Sequence, residues 1–535
     1  MPFFTADRKE ALRETWPVLP GAALYFLAYP TVGAWPLIFV ALAPTVALVH
    51  TAKTPKRAFW FAFAAGFAAN AGKLYWLVYT INHFGHFPLP AALLVFGLLC
   101  AAIGCFWGVP LYYFHRITKA TGYPVWLTFP VAWMVHDWLL SWVLTGFPWE
   151  MVGHALVSWL PMAQFADVIG GFGLTYPVAF GNVVAYEIYR FARRRRDGFP
   201  TGESIAFAAM VAFLAIYGLV RLPQVDRMME AGRPVKVGML QGNVDQNEKW
   251  DPRFKNRTIN TYKRQALRVA SDGAQLILMP ETALPYWQTQ GEELNRGIRK
   301  FLKGLENQWV LLAMPSRVEN PEDPEWPYHY NSTVLVTPGG DLTSWYNKHR
   351  LVPFGEYLPM KKLSVPFVKW LRGFEALSKL RLSAGFYKGE EYTTFPFDAA
   401  PFGIAICYEV VYPAITREVA KMGAAFMVTV TNDAWFGDTS APHQHWAQVQ
   451  MRAIETRRYF ARSANTGISG VVDAAGRTLS QTGTYVEAAI TGEVRTMDTA
   501  SVYLRFGDWF IYLCVAAFFV LLGVMVARER AAKGA

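Results

Sequence analysis

The chain has 535 residues, of which 53% are hydrophobic and only 17% are charged, and it contains 20 Trp and 38 Phe. This composition excludes an ordinary soluble protein, which would carry about 25% charged residues. The apolar residues are concentrated in long runs towards the two ends of the chain. The composition therefore predicts a polytopic membrane protein with a soluble insert, in a chain long enough for two or three domains.

Eight apolar stretches are long enough to cross a hydrocarbon core of roughly 30 Å. They lie near residues 17–29, 35–50, 58–80, 91–114, 126–142, 162–189, 205–220 and 509–526. Pro20, Pro30 and Pro36 interrupt the first two stretches, so a single re-entrant hairpin is the alternative for that pair. The pattern predicts a transmembrane domain over residues 1–221, a soluble domain over 222–505, and a C-terminal helix with its tail over 506–535.

Basic residues alternate between the connections of the predicted spans. They cluster at residues 8–13, 53–57, 116–119, 190–196 and 528–533, whereas residues 31–34, 81–90 and 143–161 contain neither Lys nor Arg. Lys and Arg accumulate in cytoplasmic loops, so both termini are predicted to be cytoplasmic and the soluble domain to lie on the opposite side. These loops supply most of the net charge of +11, which is therefore no indication of a nucleic-acid partner.

Cys407 is the only cysteine in the predicted soluble domain, because Cys100, Cys105 and Cys514 fall within predicted spans. A domain with one thiol cannot form an internal disulfide, and an exported lone thiol is open to oxidation. Cys407 follows an apolar run at 402–406 that predicts a buried strand. Strand ends are where α/β proteins place chemistry, so we expect a reactive thiol. The alternative is a small buried hydrophobic residue.

The soluble domain alternates short apolar runs with amphipathic segments. Strands are predicted at 235–240, 274–279, 309–314, 332–336, 402–407 and 426–430, and helices at 255–270, 294–305, 414–421 and 444–462. This alternation predicts an α/β layered fold. Residues 357–385 mix apolar and basic side chains, which is typical of an amphipathic arm at a lipid headgroup boundary. An insertion packed on its own domain is the alternative for that segment.

Polar residues capable of acyl transfer follow three of the predicted strands. Glu281 lies in LMPETALP, Lys348 and Glu356 lie in YNKHRLVPFGEYLP, and Cys407 lies in ICYEVVYP. A thiol needs a base, and a carboxylate in a partly apolar site can have its pKa raised enough to accept a proton. An ammonium such as that of Lys348 can stabilise the oxyanion that follows attack. Taken singly, Glu281 could equally be a cap or surface carboxylate and Lys348 a solvated charge.

Together, PETALP, NKHRLVPFGEYLP, ICYE and TNDAWFG resemble the nitrilase superfamily. The membrane spans, WVLTGFPWE at 142–150, QGN, KWDP at 249–252 and the insertion after GEYLP resemble, more narrowly, the apolipoprotein N-acyltransferase family. The resemblance implies an αββα sandwich with Glu281 as general base, Lys348 as oxyanion stabiliser and Cys407 as nucleophile. It also implies supporting roles, which fall on Glu356, Trp250, Tyr408 and Glu409, with the backbone N–H of Tyr408 as a second oxyanion donor.

The reaction that the resemblance implies has two steps. An acyl chain passes from the sn-1 position of a phospholipid, commonly phosphatidylethanolamine, to Cys407 as a thioester. It then passes to the α-amino group of the diacylglyceryl-cysteine of an apolipoprotein, which is the last step of lipoprotein maturation. The implied location is the bacterial inner membrane, with a periplasmic catalytic domain, and we expect a monomer.

No cofactor is expected, because the sequence has no phosphate-binding glycine loop. His443 and His445 are spaced like metal ligands but have no third ligand in the sequence, so a metal is not expected either. Lys73 and Asp137 would be costly if they faced lipid, and whether they snorkel or line a lipid entrance stays open.

Two other functions are compatible with the sequence. One is a membrane-anchored amidase or nitrilase that hydrolyses a small amide, against which stand the seven preceding spans and the 357–385 arm. The other is a transporter or lipoprotein-binding chaperone with a vestigial triad, against which stands the complete set of Glu281, Lys348 and Cys407.

Overall fold

The computed structural model describes residues 16–149, 151–320, 327–360, 362, 366 and 385–534. The chain divides into two compact units. The first comprises Met1–Val78, Leu89–Arg221 and Phe506–Ala535, and the second comprises Tyr79–Pro88 and Leu222–Arg505. The short segment Tyr79–Pro88 thus belongs to the second unit, although it joins two helices of the first. Most of the predicted arm at 357–385 lies outside the described residues.

The first unit is helical. Its helices are Val18–Ala28, Ile38–Ala41, Ala43–Thr51, Pro55–Lys73, Trp76–Tyr79, Leu89–Thr121, Val125–Trp142, Leu160–Ala163, Ala166–Gly173, Thr175–Ala192, Thr201–Glu230 and Trp509–Gly534. In the described part of the chain, four helical segments are long and apolar enough to cross a membrane: Leu89–Thr121, Val125–Thr145, Thr201–Glu230 and Trp509–Lys533. The pair Ala166–Gly173 and Thr175–Ala192 is bent by 62° and could form a fifth span.

The sequence-based count of eight spans therefore stays a prediction. The stretches predicted at 17–29 and 35–50 form only the shorter apolar helices Val18–Ala28 and Trp35–Thr51. The stretch predicted at 162–189 is broken, because Gly170 adopts a positive φ of 74° that interrupts the helical backbone. Hydropathy identifies the apolar stretches of the chain, but it does not show whether each stretch forms one continuous helix, which depends on local backbone geometry.

Large apolar side chains on three of the long helices point away from the protein. Leu94, Ile216 and Val520 are 65%, 60% and 67% exposed, respectively. Long apolar helices with exposed large side chains are typical of contact with lipid. The first unit is therefore a membrane-embedded body.

Lys73 and Asp137 are both buried inside the first unit and do not face lipid. The Nζ of Lys73 donates to the carbonyl oxygen of Trp149 at 3.1 Å, and it lies over the ring of Tyr25 at 5.5 Å. Asp137 accepts a hydrogen bond from the hydroxyl of Thr175 at 2.6 Å. Both polar side chains therefore tie segments of the first unit together, as ionisable residues inside membranes commonly do.

The second unit contains two β-sheets. The described strands are β1 Pro234–Gln241, β2 Leu276–Leu278, β3 Gln288–Thr289, β4 Trp309–Val318, β5 Tyr328–Val336, β6 Leu342–Asn347, β7 Thr394–Phe395, β8 Phe402–Ile406, β9 Phe426–Thr431, β10 Phe460–Ala464, β11 Gly470–Val472, β12 Thr478–Gln481 and β13 Ala488–Arg495. One sheet has the order β13-β1-β2-β4-β5-β6 with β3 beside β4, and the other has the order β12-β11-β10-β9-β8-β7.

Helices cover the outer face of each sheet. Lys255–Ser271 and Arg296–Leu302 contribute Val269 and Ile298 to the core that covers the first sheet. Pro413–Lys421 and Ala441–Thr456 do the same for the second sheet. The sheets meet through a hydrogen bond from the Ser463 hydroxyl on β10 to the Leu240 carbonyl on β1, at 2.7 Å. The result is a nitrilase-like αββα sandwich, as the resemblance implied.

The predicted helix at 444–462 is wrong in its last third. The helix ends at Thr456, Arg457 adopts a left-handed φ of 51°, and Phe460–Ala464 forms strand β10. β10 lies between β9 and β11, and all five of its residues are buried. The sequence does not reveal that the polar groups of Arg462 and Ser463 are buried and hydrogen-bonded within the sandwich.

The parallel strands bring their carboxyl ends to one edge of each sheet. β1, β2 and β4 run parallel in the first sheet, and β8, β9 and β10 run parallel in the second. Glu281 follows β2, Cys407 follows β8, and Asn432 follows β9. The topology therefore gathers the predicted chemical residues at the edge where α/β folds place their sites.

Candidate active site

Glu281 is held by three donors from three different elements. Its Oε1 accepts hydrogen bonds from the Nζ of Lys348 at 3.0 Å and the Nδ2 of Asn331 at 2.6 Å. Its Oε2 accepts from the backbone N–H of Asn432 at 3.0 Å. The side chain is only 6% exposed. A buried carboxylate with this many directed partners is fixed in position and does not sample other rotamers freely.

Lys348 follows β6 directly and joins two carboxylates. Its Nζ lies 3.0 Å from Glu281 and 2.9 Å from Oε1 of Glu356. Asn331 also donates to Glu356, at 2.8 Å, and the N–H of Val352 donates to Oε2 of Glu356, at 2.8 Å. The structure thus brings together three of the residues that the sequence analysis singled out, with Asn331 as an unforeseen fourth member.

The expected rise in the pKa of Glu281 is not found. Burial acts to raise the pKa of Glu281, but the charge of Lys348 and the hydrogen bonds from Lys348 and Asn331 outweigh it and lower the pKa. Burial likewise opposes the charge on Lys348, yet Glu281 and Glu356 raise the pKa of its ammonium well above the usual value. The resting pair is therefore ionised, because the sequence-based expectation counted the apolar surroundings and not the donors.

Cys407 connects β8 to a short 3₁₀ helix, Cys407–Val411. Its backbone is left-handed, with φ 52°, and its side chain is buried. Burial is the main cause that raises the pKa of the Cys407 thiol, the charge of Glu281 raises it further, and Lys348 lowers it. The side chain of Cys407 is therefore a thiol at rest, and its pKa depends on the charges of Glu281 and Lys348.

A buried network behind Cys407 was not predicted. The Nε2 of His445 lies 3.1 Å from the carbonyl oxygen of Cys407, which can only accept, so Nε2 carries the proton. Burial, followed by the charge of Arg462, lowers the pKa of His445, whereas the carboxylate of Asp433 acts to raise it. Arg462 donates to Oδ2 of Asp433 at 2.7 Å, and Oδ1 of Asp433 lies 3.0 Å from Nδ1 of His445. These side chains are fully buried, and the network contacts the backbone carbonyl of Cys407.

His445 therefore takes part in a buried hydrogen-bond network with the carbonyl of Cys407 and the carboxylate of Asp433. Among the described residues, no group of three or more His, Cys, Asp or Glu side chains is arranged to hold a metal ion. The motif TNDAWFG contains Asp433, so one member of the network was visible in the sequence. The other members, His445 and Arg462, lie on separate elements and could not be linked to Asp433 from the sequence.

Glu409 connects the segment after Lys348 to the end of β8 through hydrogen bonds. Its Oε1 accepts from the hydroxyl of Tyr346 at 2.8 Å and from the N–H of His349 at 2.6 Å, and its Oε2 accepts from the N–H of Ile406 at 2.7 Å. Burial raises the pKa of Glu409 to about 7, although hydrogen bonds from the backbone oppose the rise. Glu409 thereby fixes the segment after Lys348 against the end of β8.

The remaining two predicted residues lie in different settings. Tyr408 is buried, and its hydroxyl accepts a hydrogen bond from that of Tyr412 at 3.0 Å. Trp250 is 44% exposed on the loop after β1. Its neighbour Lys249, which lies in the same KWDP motif, is the buried member of the pair, with 2% exposure. Sequence reasoning chose the aromatic residue and missed the lysine, because a lysine is ordinarily expected to be solvated.

Comparison with known proteins identifies the family. An apolipoprotein N-acyltransferase from Geobacter metallireducens is 34% identical, over 96% of this chain and 95% of its own length. This chain belongs to the apolipoprotein N-acyltransferase family. A second apolipoprotein N-acyltransferase, from Azotobacter vinelandii, is 30% identical over 98% of this chain and 97% of its own length.

The two units correspond to separate family descriptions. Residues 21–184 match the apolipoprotein N-acyltransferase N-terminal domain, and residues 236–503 match the carbon-nitrogen hydrolase family. A solved amidase from Nesterenkonia sp. is 20% identical and covers 52% of this chain and 95% of its own, with a TM-score of 0.35. The chain therefore contains both the apolipoprotein N-acyltransferase N-terminal domain and a carbon-nitrogen hydrolase domain.

Proposed function

We propose that this chain transfers an acyl chain from the sn-1 position of a phospholipid to the α-amino group of the N-terminal diacylglyceryl-cysteine of an apolipoprotein, through a thioester on Cys407. Membership of the family supports the reaction class. The observation that carries the proposal is the single ammonium of Lys348, held at 3.0 Å by Glu281 and at 2.9 Å by Glu356 and electrostatically linked to the buried thiol of Cys407.

In the first half-reaction the thiol of Cys407 attacks the ester carbonyl carbon of the phospholipid. Its proton passes to Glu281 as the sulfur–carbon bond forms. The ammonium of Lys348 and the backbone N–H of Tyr408 stabilise the oxyanion. The ester bond then breaks, the leaving glycerol oxygen takes the proton from Glu281, and a lysophospholipid departs.

In the second half-reaction the neutral amine of the acceptor attacks the thioester. Glu281 accepts one proton from the attacking nitrogen, the carbon–sulfur bond breaks, and the thiolate of Cys407 takes the proton back from Glu281. The products are an amide and the resting enzyme. Burial of Glu281 and Cys407 excludes water from the reacting atoms, which favours transfer to an amine over hydrolysis.

The pKa shifts of Glu281 and Cys407 are compatible with Cys407 acting as a nucleophile that is protonated at rest. With the pKa of Glu281 lowered and that of Cys407 raised, transfer of the proton in the empty site is unfavourable. The thiolate then forms only while attack on a bound ester spreads the negative charge onto an oxyanion held by Lys348. A thiol that stays protonated at rest is also less open to oxidation, because the thiolate is the reactive form.

The finer assignments belong to the same proposal. The acyl donor is phosphatidylethanolamine, the protein is a monomer, and Trp250, Glu356, Tyr408 and Glu409 support the triad. Eight spans place both termini in the cytoplasm and the second unit in the periplasm of a bacterial inner membrane, with the 357–385 arm facing the membrane. The alternation of basic and uncharged connections supports the orientation. A reporter fused after Lys533 that is active only in the periplasm would contradict this orientation if it were active.

The thioester is the direct test of the mechanism. Purified protein mixed with phosphatidylethanolamine labelled in its sn-1 chain should acquire a label that neutral hydroxylamine releases. Cys407→Ser should lose the hydroxylamine-labile label, whereas Cys105→Ser should keep it, because Cys105 lies on a helix of the first unit. An unlabelled wild type, or equal hydroxylamine-labile labelling of Cys407→Ser, would show that the proposal is wrong.

The acceptor distinguishes a transferase from a hydrolase. A diacylated lipopeptide added to the labelled enzyme should receive the chain on its terminal amine, and the label should leave the protein at the same rate. Release of free fatty acid as the main product would favour the amidase or nitrilase alternative instead.

A further inference from the structure

Lys249 is a buried cation beside the proposed base. It lies in the loop between β1 and the helix Lys255–Ser271, and it is 2% exposed. Its Nζ donates to the backbone carbonyl of Glu281 at 3.0 Å and to the hydroxyl of Thr282 at 2.6 Å. Removing an ammonium from water costs several kcal/mol unless other groups compensate it, so the position of Lys249 requires a specific partner.

The negative charges of the site are the partner that the ammonium of Lys249 requires. Glu281 and Glu356 share the single ammonium of Lys348, which leaves this buried group with one excess negative charge. The charge of Lys249 interacts with both Glu281 and Cys407. An uncompensated charge in a low-dielectric site is costly. Lys249 therefore makes the catalytic group neutral overall, before and after a proton moves from Cys407 to Glu281.

The contacts of Lys249 also explain a strained turn. Thr282 directly follows the base and has a left-handed φ of 49°, a conformation that a β-branched residue rarely adopts. By binding the carbonyl of Glu281 and the hydroxyl of Thr282, the ammonium of Lys249 holds both ends of the intervening peptide. The orientation of the Glu281 side chain depends on this turn.

We propose that Lys249 is a positioning residue of the acyl-transfer site: it fixes the turn that carries Glu281 and supplies the second positive charge that allows the Cys407 proton to leave. This inference rests on the function proposed above. Without that charge, the negative charge that arrives on sulfur has only Lys348 to balance it. The rate of thioester formation then falls, although the fold and the triad side chains remain.

The titration of Lys249 provides a readout that a merely structural residue lacks. Burial lowers the pKa of Lys249 to about 8, although Glu281 and Cys407 act to raise it. Among the groups around it, the pKa of Glu281 is lowered, and the pKa values of Lys348 and Cys407 are raised. Burial raises the pKa of Glu409 to about 7, so Glu409 also titrates in this range. A decrease of activity near pH 8 that disappears when Lys249 is replaced therefore reports its ammonium.

The experiment measures single-turnover thioester formation from labelled phosphatidylethanolamine, without acceptor, between about pH 6 and 9, using the full-length protein in detergent. Wild type should lose activity with a midpoint near pH 8. Lys249→Met and Lys249→Gln should react at least about tenfold more slowly at pH 7 and should lack this alkaline decrease, so that their deficit narrows towards pH 9.

Two comparisons separate charge from structure. Lys249→Gln keeps a hydrogen-bond donor without the charge, and Thr282→Val keeps the charge without the hydroxyl. Thr282→Val should retain the alkaline decrease near pH 8. A Lys249→Gln variant at the wild-type rate, or one whose profile runs parallel to that of wild type, would overturn the inference. If neither Lys249 variant folds, a wild-type profile without a decrease near pH 8 overturns it as well.

Failure of this inference is distinguishable from failure of the proposed function. If wild type forms no thioester at any pH, the acyl-transfer proposal itself is wrong. If wild type forms the thioester and the Lys249 variants match it, only the assignment of Lys249 is wrong.

Discussion

Replacement of His445 by Phe keeps a ring in the same buried space and removes the N–H that binds the carbonyl of Cys407. That hydrogen bond measures 3.1 Å, and His445 is fully buried. Leaving a buried carbonyl without its donor costs about 1–3 kcal/mol. The left-handed φ of 52° at Cys407 costs a further ~1–3 kcal/mol, which the surrounding contacts must hold in place.

The expected effect is larger on the reaction than on the fold. Once its carbonyl is released, Cys407 can relax towards a commoner backbone conformation, and its sulfur then moves relative to Lys348 and Glu281. A displacement of about 1 Å at a reacting atom can cost roughly 100-fold in rate. We therefore expect His445→Phe to slow thioester formation by between about tenfold and 100-fold.

The assay is single-turnover labelling with sn-1-labelled phospholipid, with thermal unfolding measured on the same preparations. His445→Gln is the matched control, because its amide can present an N–H at a similar distance along the chain. It should retain a rate within about fivefold of wild type, since one hydrogen bond is preserved. A His445→Phe protein that is folded and labels as fast as wild type would refute a positioning role for this network.

Two further variants test the same region. Cys407→Gly should be as stable as Cys407→Ala or more stable by up to ~1 kcal/mol, the reverse of the usual order, because a left-handed backbone costs Ala about 1–2 kcal/mol and costs Gly almost nothing; a clearly higher unfolding temperature for the Ala variant would contradict this. Asp433→Asn should destabilise the protein at neutral pH by about 3 kcal/mol, because it leaves the buried guanidinium of Arg462 without its counter-ion. Burial opposes the charge of Asp433, but Arg462 and His445 outweigh it and lower its pKa below the ordinary 3.8, so the stabilisation is present above about pH 4 and is lost as the pH falls further. The difference in thermal midpoint between wild type and Asp433→Asn should therefore shrink below about pH 4, and a constant difference down to pH 2 would count against the ion pair.

The identities of the chemical residues could be predicted because strand ends leave local signals. A short apolar run precedes Glu281 and Cys407, and both residues lie just after a strand, whereas Lys348 follows β6, which was not among the predicted strands. The α/β character follows from the same periodicity, which located six of the thirteen described strands, namely β1, β2, β4, β5, β8 and β9. The membrane nature of the first unit was equally clear from composition, although the number of spans was not.

The electrostatics of the site were decided by residues far apart in the chain. Glu281 was expected to have a raised pKa because its own segment is apolar, but Asn331, Lys348 and the backbone of Asn432 supply donors that reverse the shift. The predicted helix at 444–462 extended into strand β10, Phe460–Ala464. In the fold Arg462 binds Asp433, and Ser463 bonds to the neighbouring sheet.

The sequence by itself determined which chemistry this protein has available, since a lone thiol, a carboxylate and an ammonium at strand ends are readable as residue types. Only the tertiary structure decided how these groups are ionised and held. Lys249 and His445 look like a surface lysine and an incomplete metal site in the chain, and they become a buried counter-charge and a backbone clamp when folded. The physical reason is that the protonation state of a group depends on burial and on partners brought together through space, which local sequence does not record.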